Sequence, residues 1–109
     1  MRARNRDPWN AKFQERVLPV LKREVDPEAV LISGSQMEGK ASEHSDIDVV
    51  VLSDKFRGVP FLKRMPMLLG LARFEKHVDY LCYTVEEFAN LKDKSGILRE
   101  AAERGVRVA

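Results

Sequence analysis

Two aspartates, Asp46 and Asp48, stand two residues apart at the start of "DIDVVVL", and a third, Asp79, lies within "HVDYLCY". Successive side chains of an extended chain point to opposite faces, so Asp46 and Asp48 project the same way, about 7 Å apart. Like charges directed towards a core are costly unless something neutralises them. A divalent metal does so. Mg²⁺ prefers carboxylate oxygens, keeps several waters and is usually completed by substrate phosphates. Upstream, Gly34-Ser35 closes the apolar run Val30-Leu31-Ile32. Backbone N–H groups at such a junction attract phosphate, and glycine permits close approach. Three carboxylates with a phosphate turn point to two-metal phosphoryl or nucleotidyl transfer. The absence of Gly-Lys-Ser/Thr excludes a Walker loop, and the ligand spacing of an EF-hand is missing.

These residues need rigid elements behind them. Asp46 to Leu52 reads as a strand with Ile47, Val49 and Val51 on one face and Asp46, Asp48, Val50 and Leu52 on the other. Both faces are apolar after Asp48, which places the strand inside a sheet covered on both sides. Val30 to Ile32 and Val78 to Tyr83 are further strands, and Val106 and Val108 suggest a short edge strand. Asp7-Pro8 opens a helix carrying Trp9, Phe13, Val17, Val20 and Leu21, with a break expected at Pro19 and an end at Asp26-Pro27. Ser35 to Lys40 reads as a short helix and "SDKFRG" as a loop. From Pro60, residues Phe61, Leu62, Met65, Leu68, Leu69 and Ala72 form a helical face, with a break or restart expected at Pro66. Met65 and Met67 are expected in the core. Thr84 and Glu87 form a capping box ahead of Phe88 and Leu91. Ser95 caps a last helix with Ile97, Leu98, Ala101 and Ala102 inward and Gly105 at its end. The fold class expected is α/β: a small mixed sheet of three to four strands flanked by helices.

The 109 residues bound this to a single domain over 1–109. The net charge of +2 is too small to argue for nucleic acid. Arg2, Arg4 and Arg6 read as a solvated N-terminus. One cysteine, Cys82, excludes an internal disulfide, and alternation places it on the face opposite Asp79. No long apolar run or signal-peptide pattern is present, so a cytoplasmic protein is expected. His44 reads as a solvated loop residue, and His77 has no evident metal partner.

The segment "GSQMEGKASEHSDIDVVV" resembles the signature of the DNA polymerase beta-like nucleotidyltransferases: Gly-Ser, a second glycine four residues later, then Ser-Asp-x-Asp before an apolar strand. It looks most like the minimal nucleotidyltransferases, and "HVDYLCYTVEEF" is similar to their third-carboxylate strand and following helix. The resemblance implies that Gly34 and Ser35 hold the triphosphate, with Gly39, Lys40 and Ser45 on the nucleotide side. It implies that Asp46, Asp48 and Asp79 bind two Mg²⁺ ions and are catalytic, Asp79 helping to activate an acceptor hydroxyl. Gln36 and Glu38 depart from it, since many minimal members carry arginine there. The activity implied is Mg²⁺-dependent transfer of a nucleoside monophosphate, AMP from ATP, to a hydroxyl on a partner protein. The partner implied is a small all-helical HEPN-type protein of a toxin–antitoxin pair. The alternative is a binding module that neutralises such a partner by contact.

Overall fold

In the computed structural model, which describes residues 8–33, 47–75 and 77–109, two short helices lead into the sheet: α1 (Pro8–Arg16) and α2 (Leu18–Val25). The expected break falls at Val17, and Pro19 occupies the first turn of α2, where its missing N–H costs nothing. Asp26 ends α2 in the left-handed region (φ 44°), a conformation that a short polar side chain tolerates. The next elements are β1 (Ala29–Ser33), β2 (Ile47–Leu52), α3 (Phe61–Leu71), β3 (Val78–Tyr83), α4 (Val85–Leu91), α5 (Gly96–Arg104) and β4 (Val106–Arg107).

The sheet order is β3-β2-β1-β4. β1 runs antiparallel to both β2 and β4, whereas β2 and β3 are parallel, joined by a crossover through α3. The sheet is therefore mixed, and it is packed on both faces, as the apolar residues on both sides of β2 imply. On one face Val30, Ile32, Ile47, Val49, Val51, Val78 and Tyr80 pack with Phe13, Val17, Leu21 and Leu68. On the other, Val50 and Leu52 pack with Leu98 and Ala101 of α5. β2 is buried from both sides, and Asp48 is only half-buried at its start.

Four expectations need correction. "SDKFRG" is not a plain loop: Ser53 is fully buried, its hydroxyl bonded to the Val25 carbonyl, and it caps a 3-10 turn over Asp54–Phe56 that buries Phe56. The face of α3 is rotated from the apolar reading. Arg64, Leu68 and the capping Ala72 are buried, while Phe61, Leu62, Met65, Met67 and Leu69 are exposed. Arg64 takes the inward place because its guanidinium finds acceptors there, described below. α3 also runs unbroken through Pro66, which lies on the exposed side, where water can satisfy the freed carbonyl of Leu62. In α5, Leu98 and Ala101 face inward as expected, but Ile97 and Ala102 are exposed.

Gly105 caps α5 without a left-handed turn (φ −66°); the need for glycine there is space. A Cβ at this position would lie 2.4 Å from the Ala101 carbonyl oxygen. Gly105→Ala should therefore destabilise the fold by about 1–3 kcal/mol, the usual range for overpacking against atoms that cannot yield. Urea unfolding measures it, and an unchanged midpoint would show that the α5–β4 junction gives way easily.

Candidate active site

Asp48 and Asp79 are register partners on the parallel strands β2 and β3. Adjacent strands lie about 4.8 Å apart, and residues in register point to the same face. Two residues far apart in sequence thus stand abreast at the starting end of both strands. They sit on the α5 side of the sheet, each partly open to solvent. β1 finishes at the same end, because Ser33 is the partner of Asp48.

Both carboxylates line a cavity of about 280 Å³ at the edge of β3. Its rim is apolar: Phe61, Leu62 and Met65 from α3, and Ile97 from α5. Leu62 is 84% exposed.

His77 joins this site. Its Nε2 donates to Asp79 Oδ1 at 2.9 Å, since an ionised carboxylate can only accept. His77 precedes β3, yet its backbone is held by the sheet, its carbonyl accepting from the Ile47 N–H at 3.2 Å. Sequence reasoning left His77 without a role. Alternation would have placed residues 77 and 79 on one face, close enough to meet.

Behind the cavity, Arg64 is 5% exposed and satisfied on several sides. Nη1 donates to the Cys82 carbonyl at 3.1 Å and to Glu87 Oε1 at 2.7 Å, Nη2 to Glu87 Oε2 at 3.3 Å, and Nε to the Val59 carbonyl at 2.9 Å. The guanidinium also lies 5.7 Å from the ring centres of both Phe56 and Phe61. Glu87 closes the capping box with Thr84 and holds α4 to the end of β3. Arg64 hydrogen bonding pulls the Glu87 carboxyl below its ordinary range, against a smaller opposing effect of burial. Arg64 thus ties α3, β3 and α4 together and fixes the cavity wall.

Cys82 is buried on the face opposite Asp79, and burial pushes its thiol up to about 12, only partly offset by Arg64. It offers no soft thiolate to a metal. What Asp48 and Asp79 present is a pair of hard oxygen donors with solvent access, which suits Mg²⁺. Among the described residues no group of three or more His, Cys, Asp or Glu side chains gathers around one point. The third carboxylate expected from sequence, Asp46, lies outside the described residues. So do Gly34, Ser35, Gln36, Glu38, Gly39, Lys40, His44 and Ser45, the short helix expected over 35–40, and Arg2, Arg4 and Arg6. No described helix is long and apolar enough to cross a membrane.

Comparison with known proteins adds a family. The family model described as "Polymerase beta, Nucleotidyltransferase" matches residues 15–106. No curated protein matches the chain in sequence. Among solved structures, the BolA domain of SufE1 from Arabidopsis thaliana is 20% identical, with TM-score 0.54, covering 68% of this chain and 93% of that one. BolA1 from the same plant is 24% identical, with TM-score 0.53 and the same coverages. At these identities the likeness is one of fold alone. A protein from Sulfolobus solfataricus assigned as a nucleotidyltransferase is 25% identical over 87% of this chain and 89% of that one, with TM-score 0.49.

Proposed function

The chain belongs to the polymerase beta nucleotidyltransferase family, and on that premise we propose that it is a Mg²⁺-dependent nucleotidyltransferase of the minimal kind. It transfers a nucleoside monophosphate, with ATP as the favoured donor, to a hydroxyl on a protein. The acceptor oxygen forms a bond to the α-phosphorus, the bond to pyrophosphate breaks, and the hydroxyl proton leaves to solvent or a nearby base. The observation that carries this reading is the register of Asp48 with Asp79. Asp48, Asp79 and, from the sequence motif, Asp46 are the residues that would hold the metal, which when bound offsets the charge of the triphosphate and of the developing oxyanion. Gly34, Ser35, Gly39, Lys40 and Ser45 are assigned to the nucleotide by their motif. The protein's own contribution is to hold carboxylates on rigid strands and to present an acceptor in line.

The apolar rim supports a protein acceptor. Phe61, Leu62, Met65 and Ile97 stand beside the carboxylates, and exposed apolar residues around a polar centre suit a protein surface better than a free sugar. A small all-helical HEPN-type partner is the acceptor we favour. The same rim supports a second reading, a module that neutralises its partner by contact. Labelled AMP appearing on the partner separates the two; a stable complex with no label favours contact.

Metal should be required before nucleotide. Titration calorimetry with ATP is expected to show binding in Mg²⁺ and at least tenfold weaker binding in EDTA, because without a metal between them the site's carboxylates and the triphosphate repel one another. Equal affinity in both conditions would remove Asp48 and Asp79 from the nucleotide site.

A further inference from the structure

We propose that His77 is a positioning residue for the Asp79 carboxylate, an inference that rests on the metal-dependent reading above. Asp79 faces a like charge abreast, Asp48, and about 40% of its side chain is exposed. Repulsion and solvent would leave such a carboxylate spread over several rotamers. His77 removes that freedom. It shares the face of Asp79, one strand repeat earlier, and its Nε2–H holds Oδ1 at 2.9 Å. The hold is firm because the His77 carbonyl already takes part in the ladder, bonded to the Ile47 N–H. The imidazole is thus a side chain of the sheet, although it precedes β3. It draws the carboxylate towards the sheet end where β1 stops and β2 starts.

An exposed pair of this kind contributes little to stability. Its effect is orientation: a carboxylate fixed by a hydrogen bond binds an ion without first losing rotamer freedom, and such outer partners typically set metal affinity by 10–100-fold. With the His77 ring 56% exposed, the lower end applies. The bond also consumes lone pairs on one oxygen only, so the carboxylate keeps capacity for a cation.

The test uses free Mn²⁺, with no nucleotide to help hold it, followed by the electron paramagnetic resonance of the unbound ion. His77→Ala should weaken Mn²⁺ binding about 10-fold. His77→Gln, whose amide can donate from the place of Nε2, should stay within about 3-fold of wild type. In transfer assays His77→Ala should lower kcat with little change in KM for ATP, and His77→Gln should recover it. All variants should unfold at the wild-type midpoint. Wild-type Mn²⁺ affinity in His77→Ala, or a Gln variant no better than Ala, overturns the inference. Asp79→Asn tells the two failures apart. If it loses Mn²⁺ affinity while His77→Ala does not, only the role of His77 falls. If Asp79→Asn binds Mn²⁺ like wild type, the metal assignment falls and takes His77 with it.

Discussion

Asp79→Asn should leave Mg²⁺–nucleotide binding within a few-fold of wild type and cut nucleotidyl transfer by at least about 10²-fold, the scale of one catalytic electrostatic group. Asp48→Asn should weaken both. The difference follows from where the residues sit. Asp48 is on β2, inside the sheet, flanked by the end of β1 on one side and by Asp79 on the other. A carboxylate in that place can serve both ions of a two-metal site, one holding the triphosphate and one at the attacking hydroxyl. Asp79 is on the edge strand β3, where it would serve only one. Asn keeps shape and volume while removing the charge, which separates chemistry from folding. Parallel nucleotide titrations and labelled-AMP transfer decide it. Normal transfer by Asp79→Asn beside a dead Asp48→Asn would reduce Asp79 to a strand residue.

The largest effect on stability is expected at Arg64. Arg64→Ala removes the charge that holds Glu87 and strips the Cys82 and Val59 carbonyls of their donor. Breaking a fully buried pair in this way costs about 3–5 kcal/mol. The Glu87 side chain is 41% exposed, so water recovers part of that, and about 2–4 kcal/mol is expected. For a chain of this size that lowers Tm by roughly 10–25 °C. Arg64→Lys should restore only part, since an ammonium cannot make the two-pronged contact. The same bond sets a pH dependence. The Glu87 carboxyl is held below its unfolded value of about 4.3, so the contribution is complete above that value and is lost as pH falls through the lower folded one. Urea midpoints below about pH 4 should therefore fall more steeply in wild type than in Arg64→Ala. A midpoint for Arg64→Ala within about 0.5 kcal/mol of wild type would mean that the guanidinium is dispensable.

Strand faces and caps were legible because they depend on local periodicity and on short-range bonds. Ile47, Val49 and Val51 announced one face of β2, and Thr84 with Glu87 announced the start of α4. The face of α3 was misjudged because hydrophobicity stood in for burial. Arg64 is buried through acceptors on other elements, Cys82 and Glu87, which no local pattern reveals. Met65 and Met67, expected inside, were displaced outward by that choice. The pairing of Asp48 with Asp79 follows the same division. Alternation fixed which way each points, but only the parallel register made them neighbours.

That register also fixes when the site can exist during folding. β1 and β2 are consecutive antiparallel strands, whose pairing closes a comparatively short stretch of chain. β3 joins only after the crossover through α3 has closed, a non-local and intrinsically slower step. An early β1–β2 hairpin would carry Asp48 without its neighbour and would face no repulsion from it. Docking β3 then brings Asp79, held by His77, alongside Asp48, and only at that step is the pair complete. An ion that binds only the finished pair acts on the native state alone and draws the equilibrium towards it, by RT ln(1 + [L]/Kd). Metal supply and completion of the sheet would then be one linked equilibrium, with the edge strand β3 as its moving part.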